Sequence, residues 1–195
     1  MNFIFDIGNV LLEFKPEEFL QELFPDISLA RKMKDDIFES PEWIMMDQGL
    51  ITRDEATGIF HKREPDYRSA INYTMEKLPD MMTPMPDTIE LLPEIKRAGH
   101  KLYYLSNYHK ELRDIVVKKN QFFTLFDGGV FSCDVHMVKP SPEMYRCFLE
   151  TYGLSGEDCL FFDDVEENIT AAQAVGVNGV LFTGSECVKA YIDSA

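Results

Sequence analysis

Basic side chains are in short supply in this 195-residue chain: 19 Lys and Arg stand against 34 Asp and Glu, a formal net charge of −15. Such a balance does not gather the clustered Lys and Arg that a nucleic-acid backbone demands, and it disfavours an anionic membrane surface. Neither nucleic acid nor membrane is therefore expected as a partner. A small anionic substrate stays open, because one metal ion and one Lys reverse the sign of the potential locally. Only four cysteines are present, Cys133, Cys147, Cys159 and Cys187, with no CxxC pair and no zinc-type spacing. That argues against structural zinc and for reduced, mostly buried thiols in a reducing compartment. The four histidines, His61, His100, His109 and His136, show no metal-binding spacing either. Long apolar runs are absent, and the N-terminus reaches Asp6 before any leader-like stretch. No membrane span or secretory leader is expected, and the chain is expected to be cytoplasmic.

What is there is material for a packed core. Hydrophobic residues make up 45% of the chain, with fifteen Phe and eight Tyr, which favours a globular fold over disorder. Short apolar runs read as buried strands: Asn2 to Phe5, Leu102 to Leu105, Gly129 to Ser132, Cys159 to Phe162 and Val177 to Phe182. Between them lie segments with helical periodicity: Thr88 to Ala98 stopped by Gly99, Lys110 to Lys119, Pro142 to Tyr152, and Glu167 to Val175 stopped by Gly176. Strands alternating with helices of this length predict an α/β fold, a mostly parallel sheet covered on both faces.

The stretch after the first strand breaks this alternation. It is helix-like, rich in charge and Met, and too long for a loop between a strand and its helix. The expectation is a helical cap over residues 14–86, inserted into a core formed by 1–13 and 87–195, with turn residues at Pro16 and at Thr83–Asp87 marking its ends. Trp43, Met45, Met46, Met81, Met82 and Met85 are read as packing inside it.

Ligands of such sheets bind at the carboxyl ends of the strands. The polar residues there are Asp6, Ser106–Asn107 and Asp163–Asp164, with Lys139 on the loop after the third strand. Three carboxylates in one crevice repel one another unless a cation joins them, and an all-oxygen set suits Mg²⁺. A hydroxyl, a Lys and turn amides beside that ion make an anion receptacle. Metal, carboxylate nucleophile and anion clamp are together the requirements of phosphoryl transfer.

At these residues the chain resembles the haloacid dehalogenase superfamily. FIFDIGNVL is similar to its first motif, LYYLSN to its second, the Lys of VKPSPEMY to its third and LFFDDVEENITAAQAVG to its fourth, in order over essentially the whole chain. The inserted cap looks like that of the subgroup containing β-phosphoglucomutase. The DxGN form of the first motif most resembles a bacterial branch that includes α-D-glucose-1-phosphate phosphatase. The resemblance implies a Rossmann-like three-layer sandwich of strand order 3-2-1-4-5 and hydrolysis of a small phosphomonoester, a sugar phosphate above all. It implies that Asp6 forms an aspartyl-phosphate. Asp6, the Gly8 carbonyl and Asp164 would hold Mg²⁺, with Asp163 and Asn168 supporting it directly or through water. Ser106, Asn107 and Lys139 would bind the phosphoryl group, assisted by turn amides after Asp6.

One departure matters. Phosphatases of the family usually carry a second Asp two residues after the nucleophile, as the acid and base, and here that position is Gly8. A Gly carbonyl can bind a metal but cannot shuttle a proton. Glu13 and His109 are the replacements the sequence offers, and Glu13 is preferred. The same gap keeps two rivals open: a metal-independent dehalogenase, and a phosphatase-like binding module without turnover.

Overall fold

The computed structural model describes residues 1–192; the last three residues of the expected core, 193–195, lie outside the described residues. Strand β1 (Asn2–Phe5) carries Phe3, Ile4 and Phe5, all buried. A strand covered on both faces needs such an unbroken apolar run rather than alternation. It pairs in parallel with β2 (Lys101–Ser106) on one side and β4 (Cys159–Asp163) on the other. Strands β3 (Gly128–Phe131) and β5 (Asn178–Leu181) complete a five-stranded sheet of order β3-β2-β1-β4-β5.

The period of two along each strand divides the core into two layers. Phe3, Phe5, Leu102 and Phe162 pack on one face with Leu92, Ile95, Leu112, Val116 and Val188. These come from α7 (Leu92–Arg97), α8 (Lys110–Lys119) and α12 (Ser185–Ile192). Phe162 stacks on both Phe3 and Phe5, at centroid distances of 5.8 and 5.1 Å. Ile4, Tyr103, Leu105 and Phe161 face the other layer and pack against α10 (Pro142–Tyr152) and α11 (Glu166–Ala174). Each fully buried side chain of this size contributes about 1.5–3 kcal/mol of transfer free energy.

One helix differs from expectation. The stretch read as a single helix from Thr88 to Ala98 is divided into α6 (Pro86–Ile89) and α7, with a turn at Glu90–Leu91. Pro93 is the cause: it has no N–H to give to Ile89, and its ring crowds that carbonyl.

Between β1 and α6 the described elements are helical. Pro16 opens α1 (Pro16–Leu23), and the Asp26 side chain caps α2 (Ile27–Met33) by accepting from Ser28 and Leu29. A π turn (Lys34–Phe38) leads to α3 (Pro41–Asp47), capped by Ser40, whose hydroxyl accepts from the Trp43 N–H. A capping box of Thr52 and Glu55 starts α4 (Arg53–Arg63), followed by α5 (Arg68–Met81). Their apolar stripes meet in an interior of Leu20, Met33, Ile37, Met46, Phe60 and Ile71. The chain enters and leaves this insert through two antiparallel segments. Glu13 N–H donates to Thr83 C=O at 2.8 Å, Met85 N–H to Leu11 C=O at 2.9 Å, and Leu12 bridges Pro84.

The insert is seated on the core at the end of α3. The Ser132 hydroxyl donates to the Asp47 carbonyl at 2.6 Å and accepts from the Tyr108 N–H at 2.9 Å. Just beyond, Gly49 has φ +65°, and a Cβ there would lie 2.5 Å from the Cys133 carbonyl oxygen in α9 (Ser132–Val135). Gly49→Ala is therefore expected to cost about 1–3 kcal/mol, from the left-handed backbone and the clash together. Urea unfolding measures it, and a midpoint equal to wild type would contradict this seating.

Candidate active site

Strand register brings the polar ends together. Phe5 lies beside Tyr104 and Phe162, so Asp6, Ser106 and Asp163 leave the sheet as neighbours across three adjacent strands. Asp6 is anchored there by its own N–H, which donates to the Phe162 carbonyl at 2.9 Å. Three donors converge on one oxygen of its carboxylate: Oδ1 receives the Ser106 hydroxyl at 2.6 Å, the Ile7 N–H at 2.7 Å and the Lys139 ammonium at 2.8 Å. Oδ2 is left facing the cleft without a donor among the described residues. Burial raises the Asp6 carboxyl to about 6; Lys139 pulls it down, Asp163 pushes it up again, and Ser106 lowers it.

Lys139 is as buried as the carboxylates it serves. Its side chain is 2% exposed, and its ammonium lies 2.8 Å from Asp6 and 2.6 Å from Asp163. Burial alone would lower its pKa, but the two carboxylates override that and raise it. Asn107 holds the loop: its Oδ1 accepts the Lys139 N–H at 2.9 Å and its Nδ2 donates to the Lys139 carbonyl at 3.1 Å. Asn107 lines the cleft, but its amide is engaged mainly in fixing this backbone.

The two acids at the end of β4 are used differently. Asp163 is fully buried and saturated: Asn168 Nδ2 donates to both its oxygens at 2.9 and 3.0 Å, the Val165 N–H to Oδ1 and Lys139 to Oδ2. Asp164 is partly exposed, and its Oδ2 accepts from Asn9 Nδ2 at 3.0 Å. Burial raises its carboxyl, Asn9 lowers it and Asp163 raises it. Asn9, with φ +51°, also accepts the Phe14 N–H on Oδ1, so the turn after β1 is tied to the acid after β4. Oxygens of Asp6, Asp163 and Asp164 lie within 4.8 Å of one another. With one ammonium among three carboxylates the cluster is acidic and all-oxygen, and those donors fit a hard divalent cation such as Mg²⁺. The turn amides are less available than the sequence suggests. Those of Ile7, Asn9, Val10, Leu11 and Leu12 all have partners within the turn.

A cleft of about 190 Å³ opens on these groups, lined by Asp6, Gly8, Ser106, Lys139 and Asp164 at its floor. Its wall is more apolar, with Phe14, Trp43, Met82 and Leu112. Glu13 does not line it. That carboxylate is on the insert's entry segment, where it accepts from Thr83 Oγ1 at 2.7 Å and Lys15 Nζ at 2.9 Å. Those two donors hold its pKa below the usual range, the opposite of what a proton donor at neutral pH needs.

Two cleft residues, Asp47 and Tyr108, escaped the acid–base reading of the sequence, and a third, His109, was its less favoured candidate. Asp47, the last residue of α3, is partly exposed toward the cleft, and burial pushes its carboxyl up to about 7 against the opposing His109 backbone N–H. Tyr108 has a buried hydroxyl with no hydrogen-bond partner among the described residues. His109 is 1% exposed; its Nδ1 stands 3.7 Å from Glu111, and neither ring nitrogen makes a hydrogen bond among the described residues. A signal for Asp47 did exist: an acid in the last turn of a helix, just before a Gly stop, opposes the helix dipole.

A family model described as haloacid dehalogenase-like hydrolase matches residues 1–176. A sesquiterpene phosphatase of Aspergillus oryzae is 29% identical over 187 residues, covering 93% of this chain and 89% of that one. A drimenol cyclase of Aspergillus calidoustus is 26% identical over 182 residues, 92% of this chain but 33% of that one. Among solved structures, a haloacid dehalogenase family enzyme of Bacteroides thetaiotaomicron, in complex with magnesium and inorganic phosphate, superposes with a TM-score of 0.74. It is 22% identical, with 94% of each chain covered, a likeness of fold.

Proposed function

This chain belongs to the haloacid dehalogenase-like hydrolases, and from that membership we propose that it is a magnesium-dependent phosphatase that passes the phosphoryl group of a small phosphomonoester through Asp6. The observation that carries the reading is the asymmetry of Asp6: Oδ1 is held by three donors and Oδ2 faces the cleft. A carboxylate fixed by one oxygen and open at the other is an oriented nucleophile.

Asp6 Oδ2 bonds to phosphorus as the ester P–O bond breaks, and water then releases inorganic phosphate from the aspartyl-phosphate. Ser106 and Lys139 meet the phosphoryl oxygens, while Asn107 keeps Lys139 in place. Asp6, Asp164 and the Gly8 carbonyl would hold Mg²⁺, which when bound offsets repulsion between the carboxylate and the phosphoryl oxygens. Asp163, its oxygens already engaged, orients Lys139 and, through Asn168, the start of α11. Residues 14–86 act as the cap, and its wall of Phe14, Trp43 and Met82 excludes water from the reacting centre. The four thiols are free, which suits a reducing, cytoplasmic setting; among the described residues no helix is long and apolar enough to cross a membrane.

A sugar phosphate is the substrate class suggested by the DxGN motif. The apolar wall, and the phosphatase relative named for sesquiterpenes, favour an ester with an apolar or flat face. A panel of sugar, prenyl and aryl phosphates, with Mg²⁺ and after EDTA, tests the reading. Chelation is expected to lower turnover about 10²-fold or more, with recovery on adding Mg²⁺. EDTA-resistant release of halide from a haloacid, with no phosphatase activity, would favour the dehalogenase alternative instead.

A further inference from the structure

We propose that Asp47, brought to the cleft from the insert by α3, is the group that protonates the leaving oxygen and then activates water; this rests on the phosphatase reading above. An alkyl phosphate leaves as an alkoxide unless a proton reaches its oxygen as the P–O bond breaks. The proton-bearing groups on the cleft wall are few, and most are committed. Asp6 is the nucleophile, and Asp164 belongs to the cation cluster. The Lys139 ammonium is clamped between Asp6 and Asp163. The Tyr108 hydroxyl is held well above its ordinary pKa by burial, with Asp6 and Asp47 adding to it, so it does not cycle at neutral pH. The His109 ring is sealed, edge-on to Trp43 at 5.5 Å, with its Nδ1 toward Glu111.

Asp47 alone combines access with a fixed position. It is half-buried and lines the same cleft as Asp6. Its backbone is pinned on both sides of the turn: Ser132 Oγ donates to the Asp47 carbonyl, and His136 Nδ1 pairs with the Gln48 carbonyl at 2.8 Å. The left-handed Gly49 then packs directly on α9. A second observation points to a ligand at the same place: the Tyr108 hydroxyl is buried in a residue of the cleft lining without a hydrogen-bond partner among the described residues. Burial raises the Asp47 carboxyl to about 7, so it carries a proton near neutrality and can still release it.

The proton balance closes. In the first half-reaction the Asp6 Oδ2–P bond forms, the P–OR bond breaks, and the Asp47 proton goes to RO. In the second, Asp47 carboxylate takes a proton from water, the water oxygen bonds to phosphorus, and the P–O bond to Asp6 breaks. Inorganic phosphate leaves, and Asp47 is protonated as at the start.

The test is leaving-group dependence in the Mg²⁺-loaded enzyme, with p-nitrophenyl phosphate as the good leaving group and glycerol phosphate as the poor one. Asp47→Asn is expected to lose about 10²–10⁴-fold in glycerol phosphate turnover. With p-nitrophenyl phosphate it should keep a rapid first turnover and then stall as a phosphoenzyme, found on Asp6 by acid quench and peptide mass analysis. If the Asn variant melts early, Asp47→Glu carries the test, with partial recovery on glycerol phosphate. Equal losses in the first turnover on both esters in a variant with native melting, or no loss on glycerol phosphate, would overturn the assignment. So would His109→Gln if it reproduced the leaving-group pattern. Failure of the underlying reading looks different: wild type would release phosphate while Asp6→Asn did so equally well and neither formed a phosphoenzyme.

Discussion

Turnover of phosphomonoesters by the Asp6→Asn variant is expected to fall by a factor of about 10⁴ or more. The substitution keeps the shape of the side chain. Its amide oxygen can accept from Ser106, Ile7 and Lys139 as Oδ1 does now. That leaves an NH₂ group where Oδ2 faces the cleft, and an amide nitrogen does not attack phosphorus. Folding should survive, because Lys139 keeps Asp163 as its partner at 2.6 Å. Phosphate binding should be retained or improved, since one negative charge has left the floor. Steady-state kinetics beside calorimetric titration with inorganic phosphate separates the two effects. Turnover within tenfold of wild type would remove Asp6 as nucleophile.

Lys139→Met should damage stability and activity together. The side chain is 2% exposed, and its charge stands between two buried carboxylates. Removing one partner of a buried ion pair costs about 3–5 kcal/mol, because the uncompensated charge stays behind. Here two are left facing each other. The expected pH dependence follows from the sign of the Asp6 shift. Its carboxyl is already raised to about 6 by burial, with Lys139 the main group pulling it down. Without Lys139 the folded-state value rises further above the unfolded one. The native state then holds protons that the unfolded chain has released, and stability falls as pH rises through that window. Denaturant midpoints should lie closest to wild type near pH 5 and furthest from it near pH 8. A constant difference across that range would mean that the loss comes from packing, including the contact of the ammonium with the Phe161 ring at 5.3 Å, rather than from charge.

The sheet was legible because each strand is an apolar run bounded by turn residues, and strands buried on both faces need such runs. For the same reason the meeting of Asp6, Ser106, Lys139, Asp163 and Asp164 could be anticipated: four of the five close or directly follow a strand of one parallel sheet, and Lys139 lies on the loop between α9 and α10. What stayed hidden depends on contacts that no local pattern encodes. Glu13 looked close to Asp6 in sequence, yet the insert's return segment captures it through Thr83, seventy positions away. Asn107 read as a phosphate contact, while the loop thirty-two positions on occupies its amide. Asp47 sits among residues with the composition of a small helical core; its place before the Gly49 stop is a local sign, but its seating on Ser132 is a contact eighty-five positions away. Pro93 differs from these, a local signal that by itself divides the Thr88–Ala98 stretch into α6 and α7.

The paired segments Leu11–Glu13 and Thr83–Met85 make the molecule modular. Hydrogen-bonded neighbours running in opposite directions are already the two legs of a hairpin. Excising everything between them would leave ends that a two-residue turn could join, at little loop-closure cost. The register of the five strands makes no reference to the excised part, so one gate could receive a different lid while the reactive floor stayed as it is.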